Sequence, residues 1–287
     1  MSETMLSSSA TAGTAGQFSV LILTLNEERN LPACLASVAG CTDVVVLDSG
    51  STDRTCGIAK QAGARFFQRP FDDFAQQRNY AQRQIRFHHP WVFHLDADER
   101  MTPELVAACH ANATRTDVEG FYVAPKMLWH GRWLRRCTDF PAWQARFVRA
   151  PEFRFILVGH GQREAADMRM DTLTASYLHE LCPGSEDEWL AKHRRYAHIE
   201  AQHALATNLP SWKTLFSSEA LARRRALKSF ATRLPARSLA RFIYQYVLRR
   251  GFLDGAGAAR FCYLLARADG FLADELRQQR RAAHFRS

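Results

Sequence analysis

The segment WVFHLDADER, residues 91–100, runs from an apolar stretch directly into three carboxylates. Its first five residues have the length and composition of a buried β-strand, and Asp96, Asp98 and Glu99 follow where that strand should end. Two interpretations are open. The carboxylates form an acidic surface turn, in which Glu99 only begins the next turn, or they gather a cation and an anionic ligand. The rest of the chain favours the second.

Two earlier segments have the same form as this strand and its end. FSVLILT (18–24) and DVVVLD (43–48) are apolar runs without alternation, as expected of strands covered on both faces. Between these strands the apolar residues have helical spacing, which predicts helices there, and a shorter strand is predicted at 64–71. Strands that alternate with helices predict an α/β fold with a mostly parallel sheet and right-handed crossovers. Because ligands bind outside the carboxyl ends of such strands, the three polar strand ends should meet around one crevice.

The pattern changes after residue 118. Short strands are predicted at 120–123, 127–129 and 172–179. From Ser185 onward the spacing of apolar residues is helical and the segment is rich in arginine. The sequence therefore predicts an α/β body followed by a basic helical C-terminal region.

The composition is that of a globular protein with a large core. Of the 287 residues 47% are hydrophobic, and no apolar run reaches the ~18 residues of a membrane span. The seven cysteines are scattered without a CxxC pair, which favours a reduced cytoplasmic protein over a disulfide framework or a zinc site. Residues 1–16 are small and polar, lack the apolar segment of a signal peptide, and are predicted to be a flexible leader.

The positive charge is concentrated in the C-terminal third. Residues 1–188 contain 19 Lys and Arg against 23 Asp and Glu, a net charge of −4, whereas residues 189–287 contain 19 against 6, a net charge of +13. Such a tail indicates an anionic partner. Its apolar residues suit a helix lying on an anionic membrane surface; a solvated arginine-rich face is the alternative. RNA-binding signatures are absent, so no nucleic-acid partner is expected.

Asp96 and Asp98 have the spacing of a metal-binding pair. Mg²⁺ and Mn²⁺ prefer oxygen ligands and commonly take one or two carboxylates, with phosphates and water completing the shell. Residues i and i+2 of a strand share a side, so both carboxylates can face one ligand. Asp48, after the second strand, can similarly accept a hydrogen bond from a base or a ribose hydroxyl. A helix cap or a solvated turn is the alternative at both places. Neither GxGxxG nor GxxxxGK[ST] occurs, so a dinucleotide fold or a phosphate-loop NTPase is not supported.

Four motifs in order resemble those of the family 2 glycosyltransferases. They are SVLILTLNEERNLPACLASV, DVVVLDSGSTDRT, QRNYA and WVFHLDADE, within residues 18–115. The resemblance implies a GT-A fold, which is Rossmann-like with a mostly parallel sheet and flanking helices. The later motifs PAWQARFVR, LHE and GFLDG look like one bacterial branch, which builds lipopolysaccharide cores or related cell-envelope glycans.

The resemblance also implies a division of the chain and a nucleotide pocket. A GT-A catalytic domain would occupy residues 17–184, with a nucleotide-binding half at 17–117 and an acceptor half at 118–184. The basic helical region would follow at 185–287. In the nucleotide pocket, Asp48 would hold the base and Arg78 would close over it. The end of the first strand would be lined by Thr24, Leu25 and Glu27.

The same resemblance assigns a metal site to the DAD motif. Asp96 would lie near the ribose, and Asp98 would bind a divalent metal, Mg²⁺ or Mn²⁺, that bridges the diphosphate of the donor. His179, in SYLHE, would complete the metal site, and an imidazole ligand suits Mn²⁺ better than Mg²⁺. A hydrogen-bonded surface histidine is the alternative for His179.

A general base completes the site. Direct displacement at the anomeric carbon needs a carboxylate or an imidazole to take the proton of the acceptor hydroxyl. In the family branch this base is usually the Glu of a His-Glu pair, but here the sequence reads VGHGQREA (158–165) and the pair is interrupted. Glu164 is the predicted base, with His160 and Asp139 as alternatives and a simple polar loop as the non-catalytic interpretation.

The residues and the resemblance together predict an inverting glycosyltransferase in the cytoplasm, at the inner face of the cytoplasmic membrane. Its donor would be a nucleotide-diphosphate sugar, with UDP-glucose as the best single candidate. Its acceptor would be a lipopolysaccharide-core or other glycan, free or lipid-linked. A catalytically silent nucleotide-sugar binding module is one alternative, which the interrupted HGQRE loop keeps open. A sugar-nucleotide pyrophosphorylase is another, although the chain lacks an early glycine-rich loop with lysine and arginine.

Overall fold

The computed structural model describes residues 16–158, 161–206, 211–218, 223, 226–227, 229–230 and 236–284. The predicted leader, apart from Gly16, and the alternative base His160 lie outside the described residues. All seven cysteines lie within them, as free thiols.

The described chain contains thirteen strands. In chain order they are β1 (Ser19–Thr24), β2 (Asp43–Asp48), β3 (Arg65–Gln68), β4 (Trp91–Asp96), β5 (Glu99–Arg100), β6 (Gly120–Val123), β7 (Pro125–Trp129), β8 (Arg132–Trp133), β9 (Gln144–Arg149), β10 (Phe155–Val158), β11 (Gly161–Glu164), β12 (Met170–Thr172) and β13 (Tyr177–Glu180). Seven of them form a central sheet in the order β12-β6-β9-β4-β1-β2-β3. The strands β4, β1, β2 and β3 pair in parallel, whereas β9 runs antiparallel to its neighbours β4 and β6.

Helices flank this sheet and follow it. They are α1 (Leu31–Ser37), α2 (Thr55–Gln61), α3 (Phe74–Gln84), α4 (Pro103–Asn112), α5 (Glu186–Ala206), α6 (Arg237–Phe242) and α7 (Ala256–His284). A π-helical stretch, Ile243–Leu248, continues α6, and 3-10 turns lie at Trp212–Phe216 and Gly251–Asp254. Side-chain caps begin two of the helices: Asp73 accepts from the Gln76 N–H at 2.8 Å, and Thr102 accepts from the Leu105 N–H at 3.2 Å.

Both faces of the central sheet are buried. On one face Val20 and Ile22 pack in the same cluster as Leu105 of α4, and on the other Leu21 packs with Ala81 of α3. This burial on both sides explains why β1 is a continuous apolar run without alternation. The predicted α/β class, with a mainly parallel sheet, flanking helices and a helical C-terminal region, is confirmed.

A second sheet, in the order β5-β13-β7-β8, lies beside the strand ends. The prediction of one strand at 172–179 is wrong, because the chain changes sheets within it. Residues 170–172 pair with β6 in the central sheet, whereas residues 177–180 pair with β7 and β5 in the second sheet. The change of sheet carries His179 next to Glu99.

The C-terminal helices share a core with the second sheet. Trp129 and Leu134, beside that sheet, are buried in one cluster with Phe261 and Cys262 of α7. The predicted division after residue 184 stays a prediction. Within the described ranges, no helix combines the length and the hydropathy needed to cross a bilayer.

Candidate active site

The carboxyl ends of β1, β2 and β4 lie side by side at one edge of the central sheet. In the parallel registers Thr24 pairs with Asp48, and Leu23 pairs with Asp96. The polar segments that follow these strands therefore meet at one crevice, which is where open α/β sheets bind ligands.

Hydrogen bonds tie two of the loops that form the crevice. The Asn26 N–H donates to Ser51 Oγ at 2.7 Å, and Asn26 Oδ1 accepts from the Thr52 N–H at 2.9 Å. Asn26 has a φ of +56°, a left-handed conformation that asparagine tolerates better than most residues. These contacts hold the ends of β1 and β2 in a fixed relation.

The Asp48 carboxylate is buried and fully hydrogen-bonded. It accepts from the Thr24 hydroxyl at 2.9 Å and from the N–H groups of Gly50 (2.9 Å) and Ser51 (2.8 Å). Burial alone would raise the pKa of Asp48, but the hydrogen bonds from Ser51 and Thr24 outweigh it and the pKa lies below its usual value. In this conformation Asp48 organises the loop at the end of β2, and its contact with a base stays a prediction.

Asp96 lies between two buried arginines. Arg78 Nη2 donates to Asp96 Oδ1 at 2.6 Å, and Arg146 Nη2 donates to Oδ2 at 3.1 Å. Burial opposes the ionisation of Asp96, but the Arg146 and Arg78 guanidinium groups hold its pKa well below the usual range. Arg78 itself is only 1% exposed. In this conformation it pairs with Asp96, and its closure over the base stays a prediction.

Glu99 is a buried member of the same network and does more than begin a turn. Its carboxylate accepts from the Asp96 N–H at 2.8 Å and from Arg146 Nη2 at 2.7 Å. His179 Nδ1 lies 3.3 Å from Glu99 Oε1. Burial raises the pKa of Glu99, although Arg146 counteracts it. Glu99 thus links the DAD segment to both Arg146 and His179.

Asp98 and His179, the predicted metal ligands, lie close to each other, and their role as ligands stays a prediction. His179 Nε2 lies 3.7 Å from Asp98 Oδ2, while Glu99 holds Nδ1 on the other side of the ring. A carboxylate on the second ring nitrogen is the usual arrangement for a metal-ligating histidine. No group of three or more His, Cys, Asp or Glu side chains gathers for a metal within the described ranges. Two protein ligands, completed by phosphate and water, still fit Mg²⁺ or Mn²⁺.

Protonation of His179 opposes metal binding. Desolvation lowers the pKa of His179, but the carboxylates of Asp98 and Glu99 outweigh it and raise the pKa to about 9. At neutral pH both ring nitrogens of His179 therefore carry a proton, and a metal would have to displace the proton on Nε2.

Three further side chains border the crevice. Leu25 is half exposed, and Glu27 accepts a hydrogen bond from Asn30 Nδ2 at 2.7 Å. Lys192 of α5 is a further charged residue of the site. Desolvation lowers the pKa of Lys192, but the charges of Asp98, Tyr196 and Glu27 together raise it by more. A cation at this place can bind the diphosphate of a nucleotide.

Glu164 is the last residue of the hairpin β10–β11, where it pairs with Phe155. Asn79 of α3 clamps this hairpin, donating to the Phe155 carbonyl at 2.8 Å and accepting from its N–H at 3.0 Å. The Phe155 ring lies 5.9 Å from the Arg78 guanidinium, so the hairpin packs against the layer that supports Asp96. Between described residues, no hydrogen bond joins Glu164 to Asp98. The alternative base Asp139 lies in the loop between β8 and β9.

A family model described as glycosyl transferase family 2 matches residues 19–147. The matched segment contains the strands β1 to β4 and the strand-end residues Asp48, Asp96 and Asp98. The matched segment, which is less than half of the chain, is similar to family 2 glycosyltransferases.

The chain is similar to curated bacterial relatives over about a third of its length. One is the lipopolysaccharide core biosynthesis glycosyltransferase LpsC of Rhizobium meliloti (strain 1021), 39% identical over 31% of this chain and 37% of the relative. An uncharacterized glycosyltransferase of Rickettsia typhi is 37% identical over 31% of this chain and 30% of its own length. The chain thus spans about a third of the length of the curated relatives it matches.

Solved structures with likeness to the chain have low TM-scores. S. aureus TarS 1–349 in complex with UDP-GlcNAc is 15% identical, with a TM-score of 0.42 over 92% of each chain. Glucosyl-3-phosphoglycerate synthase of Mycobacterium tuberculosis in complex with Mn²⁺, UDP and glucosyl-3-phosphoglycerate is 22% identical. Its TM-score is 0.33 over 44% of this chain and 47% of that chain. At these values the ligands of the neighbours say nothing about the ligand of this chain.

Two residues of the site went unpredicted, Arg146 and Lys192. Arg146 lies in the motif PAWQARFVR, inside the matched segment, but no sequence spacing pairs it with Asp96 and Glu99. Lys192 lies beyond the matched segment, as do Glu164 and His179. The segment KHRRY resembles the family branch, yet no sequence spacing pairs its lysine with Asp98, whose charge raises the pKa of Lys192.

Proposed function

We propose that the chain transfers a sugar from a nucleotide-diphosphate donor to a glycan acceptor, with a divalent metal. The observation that carries this proposal is the pair Asp98 and His179, 3.7 Å apart at the carboxyl end of the sheet and held by the buried Glu99. The family 2 match over the strands that place Asp98 supports the same activity.

The donor side of the crevice supplies binding and orientation. Asp98 and His179 would hold the metal, which when bound would stabilise the negative charge on the diphosphate as a Lewis acid. Lys192 adds a second positive charge at the same place. Arg146, through its contacts with Asp96 and Glu99, keeps the DAD segment and the His179 ring in position. Leu25 offers an apolar surface to the nucleotide.

The acceptor side supplies the base. Glu164 would take the proton of the acceptor hydroxyl while that oxygen attacks the anomeric carbon and the bond to the diphosphate breaks. A single displacement of this kind inverts the anomeric configuration. Asp139 and His160 remain the alternative bases.

UDP-glucose is the proposed donor and a lipopolysaccharide-core glycan, or another cell-envelope glycan, is the proposed acceptor. Both rest on the resemblance of the motifs, and the acceptor also rests on the name of the Rhizobium relative. The proposed location is the cytoplasm, at the inner face of the cytoplasmic membrane.

A thermal-shift screen of UDP-, GDP-, ADP- and CMP-sugars, with and without Mn²⁺, tests donor binding. A ligand that binds only the folded protein raises the melting temperature as its concentration exceeds the dissociation constant. We expect stabilisation by a UDP-sugar in Mn²⁺ and much less in EDTA. If no nucleotide sugar stabilises the protein, the proposed function is wrong.

The variant Glu164→Gln separates an enzyme from a silent binding module. It should keep the donor-induced shift and lose sugar transfer or donor hydrolysis by about 100-fold or more, because the base is removed without a change of shape. Glu152→Gln, a neighbouring exposed site, serves as the matched control. Full transfer by Glu164→Gln would leave Asp139 or His160 as the base. Donor binding without transfer or hydrolysis by the wild type would indicate the binding module.

A further inference from the structure

A second concave site lies away from the Asp98–His179 pair. A cavity of about 690 Å³ opens between the loop after β8 and the π-helical stretch that follows α6. Three arginines line it, together with aromatic and aliphatic side chains. The lining residues that matter here are Arg135, Arg136, Arg249, Phe140, Tyr244 and Leu248.

The cavity brings three arginine side chains together, and the carboxylate of Asp254 accepts from the Arg136 N–H at 2.7 Å. Arg249 is held in place, because it donates to the carbonyls of Arg136 and Thr138, both at 2.9 Å. Arg135 lies 5.7 Å from the Trp133 ring, and both Arg135 and Arg136 are exposed at the rim. A preformed group of cations of this kind binds phosphate or another anion.

An exposed apolar surface adjoins the cavity. Leu239, Ile243 and Val247 recur every fourth residue and so share one face of the helix, each at least 42% exposed. Leu248, on the cavity wall, is 69% exposed, and Phe252 in the next turn is 48% exposed. Large apolar side chains beside arginines are the composition of a segment that lies in a membrane interface.

We propose that the cavity and this apolar surface dock the protein on an anionic phospholipid bilayer. Phosphate headgroups enter the cavity against Arg135, Arg136 and Arg249, and the side chains of the apolar surface enter the boundary between headgroups and acyl chains. The net charge of +13 over residues 189–287 complements a negatively charged leaflet. This inference rests on the proposed membrane location and is independent of sugar transfer.

The loop beside the cavity is connected to the sheet that carries His179. The loop with Arg135 follows β8, and β8 is two strands from β13, which carries His179, in the order β13-β7-β8. Two strand spacings correspond to about 10 Å. The proposed docking surface and the candidate donor site are thus connected through one sheet.

Co-sedimentation with vesicles tests the proposal on the full chain. Wild type should bind vesicles of phosphatidylglycerol and phosphatidylcholine, and should not bind phosphatidylcholine alone. Arg135→Ala with Arg136→Ala should lower partitioning by about 25-fold, from about fivefold per arginine near an anionic surface. The matched control, Arg54→Ala with Arg83→Ala, removes two exposed arginines outside residues 189–287 and should leave partitioning close to wild type.

The apolar part is tested by Leu248→Glu with Phe252→Glu, which should abolish binding to the anionic vesicles. Ile199→Glu with Leu205→Glu, exposed on α5, is the control with the same change of charge. A nucleotide-sugar thermal shift on every variant shows that each one is folded. Equal vesicle partitioning of wild type and docking variants would overturn the proposal. A DNA duplex is the alternative ligand. If the docking variants lose binding to the duplex but bind vesicles as wild type does, the surface binds nucleic acid and the proposal is also overturned. If vesicles bind as expected but no nucleotide sugar does, only the proposed function fails, and circular dichroism then reports folding.

Discussion

Arg146 holds several parts of the candidate site together. It contacts Asp96 and Glu99 through Nη2, and its Nη1 donates to the His94 carbonyl at 3.1 Å. It is 3% exposed. A buried charge network adds little net stability but fixes a single geometry, and removing one partner leaves the others uncompensated. The network therefore defines where Asp98 and His179 lie.

Substitution of Arg146 by leucine should destabilise the protein strongly. Asp96 and Glu99 would remain buried without their shared cation, and the expected loss is about 3–5 kcal/mol in the free energy of unfolding. Urea denaturation measures it. Arg115→Leu, which removes a more exposed ion-paired arginine, is the control and should have a much smaller effect. A similar small effect of Arg146→Leu would mean that the network is unimportant for stability.

Asp43 predicts the pH dependence of stability. This buried carboxylate accepts from Ser19 Oγ (2.6 Å), from the His88 N–H (2.8 Å) and from Arg65 Nη1 (2.9 Å). Burial opposes its ionisation, but these contacts outweigh burial and lower its pKa. Because the pKa of Asp43 is lower in the folded protein than its unfolded value of about 3.9, its ionised form stabilises the fold above that pH. This stabilisation is lost as the pH falls through the pKa of the folded protein.

Asp43→Asn should therefore cost more stability at pH 7 than at pH 3. The expected loss at pH 7 is about 1–3 kcal/mol, typical of a buried hydrogen-bonded group that loses its best partners. Urea unfolding of wild type and variant at the two pH values provides the comparison. The same loss at both would show that the ionised form of Asp43 is not what stabilises the fold.

At the level of elements, the strands β1, β2 and β4 could be predicted because burial on both faces leaves a direct trace in the sequence. Their polar ends could be predicted too, since parallel strands end at one edge. The segment 170–180 could not, because an alternating pattern shows the period of a strand but not which sheet it joins. Leu173–Ser176 carries the chain from one sheet to the other with no turn signal such as Gly or Pro.

The 3-10 turn after the π-helical stretch packs tightly on the loop after β8. A Cβ at Gly251 would lie 2.6 Å from Cys137 Cβ and 2.6 Å from the Gln245 carbonyl oxygen. Gly251→Ala should destabilise the protein by about 1–3 kcal/mol, as overpacking does. Gly40→Ala has no atom within 4 Å of the new Cβ and is the control. Thermal unfolding measures both, and equal melting temperatures would contradict the packing at Gly251.

Asn79 links α3 to the hairpin that carries Glu164. Asn79→Ala removes both side-chain hydrogen bonds to Phe155 and should loosen that hairpin while Asp98 and His179 stay in place. We expect transfer to fall by about 100-fold, the cost of a small displacement of a catalytic group, with donor binding unchanged. Asn112→Ala, which removes a helix side-chain contact with Ala108, is the control. Unchanged sugar transfer would mean that these contacts of the hairpin do not affect catalysis.

At the scale of the whole molecule, the site joins parts that are far apart in sequence. Asp96 and Asp98 follow a predicted strand, and the resemblance named His179, but Arg146 and Lys192 come near them only through the fold. Charge composition indicated a basic C-terminal region. It did not indicate that the loop after β8 adds Arg135 and Arg136 to the same surface.

The central claim is that Asp98 and a divalent metal together bind the diphosphate of a nucleotide. Isothermal titration of UDP into wild type, Asp98→Asn and the exposed control Asp274→Asn, each in Mn²⁺ and in EDTA, tests it most directly. The account predicts binding in Mn²⁺ by wild type and Asp274→Asn, and affinity at least about tenfold lower in EDTA or with Asp98→Asn. Equal affinity for UDP in EDTA, or in the Asp98→Asn variant, would contradict it.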